Sequence, residues 1–137
     1  MDKLALAGCV ILNEEGNVLL IHRNTPKRVQ WETPGGKIEV GEKPIKTAER
    51  EVEEELGIDV TIIKKLGEED FGEDGYLLSY VWYLAVIKSG TPKIMEEKYD
   101  DLQYFSWNKL KSTKSQLSPN VVNLVNAYFS QKISLDK

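Results

Sequence analysis

The order of residues 36–58 constrains this 137-residue chain more than any other feature. Ile45, Ala48, Val52 and Leu56 recur at three- and four-residue spacing, which lays one apolar stripe along a helix predicted over residues 43–56. Pro44 is tolerated in the first turn, and Gly57 is well placed as the C-terminal cap. The opposite face is the unusual one. Glu51, Glu54 and Glu55 stand at i, i+3 and i+4, so three carboxylates share it. Like charges at this spacing destabilise an isolated helix by about 0.2–0.5 kcal/mol per pair. Lys46 and Arg50 offset part of the repulsion; a hard divalent cation, which takes oxygen ligands, would offset more. Rigid helical positions also suit a metal site better than a loop does.

Glutamates on a helix taken alone describe a solvated face. What overturns that reading is their setting: Gly36, five residues, Glu42, seven residues, then Arg50-Glu51-Val52-Glu53-Glu54-Glu55-Leu56-Gly57-Ile58. This stretch resembles the signature box of the Nudix hydrolases at every specified position. Gly36, Glu42, Arg50, Glu51, Glu54, Glu55 and Gly57 each meet a demand for one residue type. At ordinary residue frequencies, a chance match anywhere in the chain falls below about one in a hundred thousand.

The resemblance implies a fold, a cofactor and roles. The fold is α/β, a mixed β-sheet sandwiched between helices (α/β/α), over residues 1–137 as a single domain. Glu51, Glu54 and Glu55 match metal-binding carboxylates, with Mg²⁺ as the expected ion and Mn²⁺ as an alternative. Arg50 matches an arginine that holds a glutamate by a charge-assisted hydrogen bond. Glu42 matches the glutamate that supports the loop before the helix and can contribute to the metal site. Gly36 matches a glycine that lets that loop fold tightly, and Gly57 the one that ends the helix. The implied reaction is attack of water on a phosphorus of a diphosphate linkage, in which a metal ion neutralises charge and acidifies water. Glu54 is the first candidate for general base. Glu97, in a second acidic stretch, is the other.

Residues 31–39, Trp-Glu-Thr-Pro-Gly-Gly-Lys-Ile-Glu, are similar to a segment of MutT-type nucleoside triphosphate pyrophosphohydrolases, departing at Thr33, where that group usually has Phe. A nucleoside triphosphate is therefore the expected substrate. Gly35, Gly36, Lys37 and Arg23 are the candidate substrate-binding residues. ADP-ribose and dinucleoside polyphosphates are the alternatives. The absence of proline between Pro44 and Pro92 counts against the first, and Tyr76 is a weak pointer to the second. Trp31, Phe71, Tyr80 and Trp82 are conceivable base-stacking residues, although Tyr80 and Trp82 better suit a core on alternating strand faces. His22, the single histidine, reads as structural. A third reading is a nucleotide-binding module without catalysis; the intact box argues against it.

The rest of the chain reads as strands, with a second helix over residues 119–131 capped by Ser118. Residues 4–12 are an apolar strand rather than a signal peptide, because they run into a turn at residues 13–17. Residues 18–22 are the return strand, 58–66 and 76–87 are strands joined by an acidic loop, and 102–107 are a short strand. A net charge of −4 excludes gripping a nucleic-acid polymer as the main task, but not a small anion held through a cation. No stretch suits a membrane span. Cys9 is alone, which points to a buried thiol in a reducing, cytoplasmic setting. A homodimer is an expectation of the resemblance alone.

Overall fold

The computed structural model describes residues 3–137. The strands are β1 (Lys3–Ile11), β2 (Val18–Asn24), β3 (Val29–Glu32), β4 (Gly35–Lys37), β5 (Asp59–Glu73), β6 (Tyr76–Ser89) and β7 (Tyr99–Phe105). Helix α1 (Pro44–Leu56) follows β4, and α2 (Trp107–Ser112) and α3 (Pro119–Phe129) close the chain. The α/β class expected from sequence is the one observed, but the strands form two sheets. One is mixed, in the order β4-β1-β6-β5, with β1 and β6 parallel. The other is antiparallel, in the order β3-β2-β7.

The layering follows from the period-two alternation of strand side chains. Ala7, Cys9 and Ile11 of β1, Leu19 and Ile21 of β2, and Val81 and Ala85 of β6 share a core with Ala48, Val52 and Leu56 of α1. The intervening residues, Val10, Val18, Leu20, Tyr80 and Trp82, share the opposite core with Val121, Leu124 and Val125 of α3. Strands covered on both faces read as continuous apolar runs, which is why residues 4–12 show no alternation. Full burial of a Val or Leu side chain is worth about 1.5–3 kcal/mol, so each helix is held chiefly by its apolar face. Cys9 is fully buried, with Sγ 3.8 Å from the Ala48 carbonyl, and burial pushes its thiol up to about 12.

Four local expectations are corrected. The turn at residues 13–17 exists, with Gly16 at φ 78°, but the strands it joins pair only at Leu12–Val18 and then part into different sheets. The acidic loop expected after Leu66 is the outer half of β5, which runs to Glu73 and turns at Asp74-Gly75. Both turn residues have positive φ, 54° and 82°, as a two-residue hairpin turn matching the strand twist requires. The charges that suggested a loop lie on a half-exposed strand, where Lys65 pairs with Glu68 and Lys3 with Asp70. Ile45 lies at the margin of exposure, and Thr47 is the buried residue of that turn instead. Finally, β7 begins at Tyr99, and the residues after Phe105 enter α2.

The helix ends are as expected, with one addition. Gly57 sits at φ 68° and its amide donates to the Glu53 carbonyl; the Ser118 hydroxyl accepts from the Val121 amide. The last carbonyls of α1 are also satisfied from outside, by the amides of Lys93 (to Leu56, 3.1 Å) and Met95 (to Glu55, 3.1 Å). The polar segment before β7 is therefore docked along the end of α1.

A buried polar chain ties the layers together on the α3 side. Trp82 Nε1 donates to Asn120 Oδ1 (2.8 Å), Asn120 Nδ2 donates to Thr33 Oγ1 (2.9 Å), and Thr33 Oγ1 bonds the Tyr80 hydroxyl (2.9 Å). Asn120→Ala leaves the indole N–H and the threonine hydroxyl short of a partner inside the core. Urea unfolding should show a loss of about 1–3 kcal/mol with an unchanged m value. A loss within error of zero would mean the chain is not a stabilising link.

Candidate active site

The site is built where α1 lies against the glycines of β4. Gly35 and Gly36 pair with Gly8 and Ala7 of β1. A Cβ on Gly36 would stand 2.5 Å from the Glu51 carboxylate, so only glycine admits the glutamate there. A Cβ on Gly35 would collide with the Tyr80 hydroxyl and the Ala7 carbonyl. The helix is thus pressed onto backbone, and two of its carboxylates face the strand.

Glu55 is 1% exposed. Its Oε1 accepts the Gly35 amide (2.9 Å) and its Oε2 accepts the Tyr99 hydroxyl (3.1 Å). Glu51 is largely buried beside it. Loss of water, above all, pushes both carboxyls upward in pKa, and the Glu51 charge pushes Glu55 further. Two desolvated, mutually repelling carboxylates are an anionic pocket that a cation would relieve.

Arg50 organises the remaining acids. Its Nε and Nη2 hold Glu42 in a two-point grip (2.8 and 3.0 Å), and its Nη1 lies between Glu51 Oε1 (3.1 Å) and Glu54 Oε2 (3.1 Å). Glu42 also accepts from the Thr47 hydroxyl (2.6 Å). The Arg50 guanidinium, first, and the Thr47 hydroxyl, second, hold the Glu42 carboxyl down at about 2. Arg50 is shifted upward by the same pairing.

The three carboxylates expected to bind metal share the predicted helix face, but differ in setting. Glu51 and Glu55 are turned to β4, whereas Glu54 is half-exposed and drawn to Arg50. Among the described residues, no three His, Cys, Asp or Glu side chains are gathered closely enough to form a metal cage. The donor chemistry nevertheless fits a hard cation. Every donor is a carboxylate oxygen, and a positive group, the Arg50 guanidinium, already stands between Glu51 and Glu54. Glu51, Glu54 and Glu55 could each offer a carboxylate oxygen to a hard divalent cation.

A cavity of about 640 Å³ opens beside Glu51. Arg23, Gly35, Gly36 and Lys37, the candidate substrate-binding residues, all line it, and Lys98 adds a cation. Leu4, Phe71 and Leu78 form an apolar shelf, because Leu78 pairs with Leu4 on one side and Phe71 on the other. The Tyr80 hydroxyl and Asn120 supply polar groups deeper in the wall. Of the aromatic candidates, Phe71 and Tyr80 line this cavity. Trp82 is core, and Trp31 packs between His22 and Phe105.

Three further placements refine the sequence reading. Arg23 faces the cavity, yet its Nε and Nη2 grip Glu32 at 2.8 and 3.1 Å, so it is not a free phosphate hook. Glu97 is exposed and outside the cavity lining, while its neighbour Glu96 turns inward, its Oε1 buried without a hydrogen bond and 3.8 Å from Lys98 Nζ. His22 bonds Asp100 (2.7 Å), which agrees with a structural role. Sequence reasoning missed Glu32, Tyr99, Lys98 and Asn120. Glu32 carried one signal, an acid inside a quoted motif. The others sit on segments whose approach to α1 and β4 no local pattern reveals.

Comparison with known proteins agrees with this geometry. The family model described as the NUDIX domain matches residues 3–125. An 8-oxo-dGTP diphosphatase of Proteus vulgaris is 43% identical over 61 residues, which are 43% of this chain and 54% of that protein; the chain thus spans about half of that relative's length. An 8-oxo-dGTP diphosphatase of Haemophilus influenzae is 35% identical over 97 residues, covering 67% of this chain and 71% of its own. Among solved structures, a MutT Nudix hydrolase from Burkholderia pseudomallei superposes with a TM-score of 0.81 at 28% identity, over 92% of this chain and 98% of that one. With its box residues assembled at the junction of α1 and β4, the chain belongs to the Nudix family.

Proposed function

We propose that this chain is a Mg²⁺-dependent pyrophosphohydrolase that converts a nucleoside triphosphate to the monophosphate and pyrophosphate. The observation that carries the reading is a buried carboxylate pair, Glu51 and Glu55, beside a cavity lined by cationic groups and an apolar shelf. A nucleotide presents a complement to both. Lys37 and Lys98 favour the phosphate chain, and the shelf of Leu4, Phe71 and Leu78 favours a base. The names of the relatives make an oxidised guanine nucleotide the first substrate to test.

When bound, Mg²⁺ would neutralise charge developing on the phosphates and lower the pKa of bound water. The chain's own residues do the rest. Glu51 and Glu55 hold their carboxylates on a rigid helix, and the Gly35 amide fixes one oxygen of Glu55. Arg50 holds Glu42 and Glu51 and donates to the Lys37 carbonyl of β4. Glu54 is the acid assigned as general base, because it is half-exposed, at the edge of the site, and among the described residues its side chain bonds Arg50 alone. Glu97 is the second candidate for that role. No helix among the described residues is long and apolar enough to cross a membrane.

Glu54→Gln should reduce turnover by about 10²-fold or more with little change in unfolding midpoint, the scale of losing a positioned base or metal contact. Wild-type turnover there, with a comparable loss in Glu97→Gln, would transfer the base to Glu97. Removing divalent metal with EDTA should abolish hydrolysis, and added Mg²⁺ or Mn²⁺ should restore it. Turnover that survives thorough chelation would exclude the metal-dependent reading.

The substrate is decided by a chromatographic panel of common nucleoside triphosphates, 8-oxo-dGTP, ADP-ribose and diadenosine polyphosphates. Release of monophosphate plus pyrophosphate from a triphosphate is the expected result. Preference for ADP-ribose or a dinucleotide would overturn the substrate class while leaving the chemistry intact. Tight nucleotide binding without turnover would place a binding module first.

A further inference from the structure

We infer that Tyr99 is a positioning residue for the metal site, holding Glu55 through a relay that starts at Arg23; this rests on the metal-dependent reading above. Arg23 Nη2 donates to the Tyr99 hydroxyl (3.2 Å), and that hydroxyl donates to Glu55 Oε2 (3.1 Å). Glu32 fixes the arginine end with two bonds, at 2.8 and 3.1 Å, and stands 3.5 Å from the same hydroxyl. A phenol has one proton to give, and the shorter contact assigns it to Glu55. Because the oxygen accepts from a guanidinium, its proton is a stronger donor, as in other polarised hydrogen-bond chains.

Burial makes the relay necessary. Tyr99 is 4% exposed and Glu55 is 1% exposed, so water does not complete the carboxylate's shell from that side. The Gly35 amide secures Oε1, and Tyr99 is the partner that secures Oε2. The carboxylate plane is thereby set by two donors from two different strands, β4 and β7. The ring itself is clamped by cations, with Arg23 Cζ 5.2 Å and Lys98 Nζ 5.4 Å from its centroid. Arg23 then acts on the site through Tyr99 and Glu32. Partners of this kind typically change metal affinity by about 10–100-fold when lost.

The test is Mn²⁺ binding to the full chain without substrate, followed by electron paramagnetic resonance, for the wild type, Tyr99→Phe and Tyr104→Phe. Phenylalanine at 99 keeps the ring and removes only the hydroxyl. Tyr104, on the same strand, bonds no carboxylate among the described residues and serves as the control. The expected result is a Mn²⁺ dissociation constant raised about 10-fold or more and an altered spectrum in Tyr99→Phe alone. Turnover lost at low Mg²⁺ should recover at high Mg²⁺. Wild-type affinity and spectrum in Tyr99→Phe would overturn the inference and leave the metal site standing. A wild type that binds no Mn²⁺ would instead remove the metal-dependent reading and the relay with it. If Tyr99→Phe is poorly folded, Arg23→Lys, which keeps the charge but not the two-point fork, should weaken Mn²⁺ in the same direction; unchanged affinity there overturns the relay.

Discussion

The site depends on one interaction, the bond from the Gly35 amide to the buried Glu55 carboxylate. A carboxylate taken out of water is costly unless its oxygens are partnered, and the cost rises with a like charge next to it. Here the partner is backbone, which α1 approaches closely because Gly36 has no Cβ to meet the Glu51 carboxylate, while a Cβ on Gly35 would meet Tyr80 on the other face. The same bond therefore fixes three things: the depth of the helix against the sheet, the direction of Glu55, and the distance of Glu51 from the strand. The apolar stripe of α1 supplies the adhesion, but an apolar stripe alone would tolerate sliding. A buried hydrogen-bonded carboxylate does not.

Around that bond the acids are graded by environment. Glu55 is enclosed, Glu51 is mostly enclosed, Glu54 is half in water, and Glu42 is neutralised by Arg50 and held ionised. Four glutamates close in sequence thus have four different electrostatic situations. Arg50 produces much of the spread, since it binds three of them and leaves Glu55 to Gly35 and Tyr99. The cavity beside Glu51 adds cations, Lys37 and Lys98 among them, and an apolar shelf to this lining.

The two-sheet arrangement explains why the cavity exists. β1 and β2 leave a common turn and part, one pairing with β4 and β6 and the other with β3 and β7. The β3–β4 segment bridges the sheets, with Thr33 and Pro34 in the gap, and Pro34's carbonyl accepts from Cys9. Thr33 stands where a MutT-like segment has an aromatic ring. Its small side chain lets the hydroxyl join the Tyr80–Asn120–Trp82 chain and so makes the inner wall of the cavity polar.

Much of this was legible in the sequence, and the boundary has a physical cause. The extent of α1, its glycine cap, its acidic face, the grip of Arg50 on a glutamate and the N-cap of α3 all depend on contacts within a few residues or on one motif. Local physics with a specific box is enough for them. The outer half of β5 misled because a charged, half-exposed strand has the composition of a loop. Ile45 misled because a stripe read from spacing does not say where the sheet ends. Glu55 facing inward while Glu54 faces out, Arg23 gripped by Glu32, Glu96 rather than Glu97 turned in, and Tyr99 reaching Glu55 were decided by tertiary structure alone. Each needs the docking of residues 93–95 onto the end of α1 or the splitting of the strands into two sheets. Those arrangements join residues dozens of positions apart, and no local pattern encodes their distance. The sequence by itself determined which chemical groups the site contains; the fold decided which of them meet, because only packing sets which carboxylate loses its water and what replaces it.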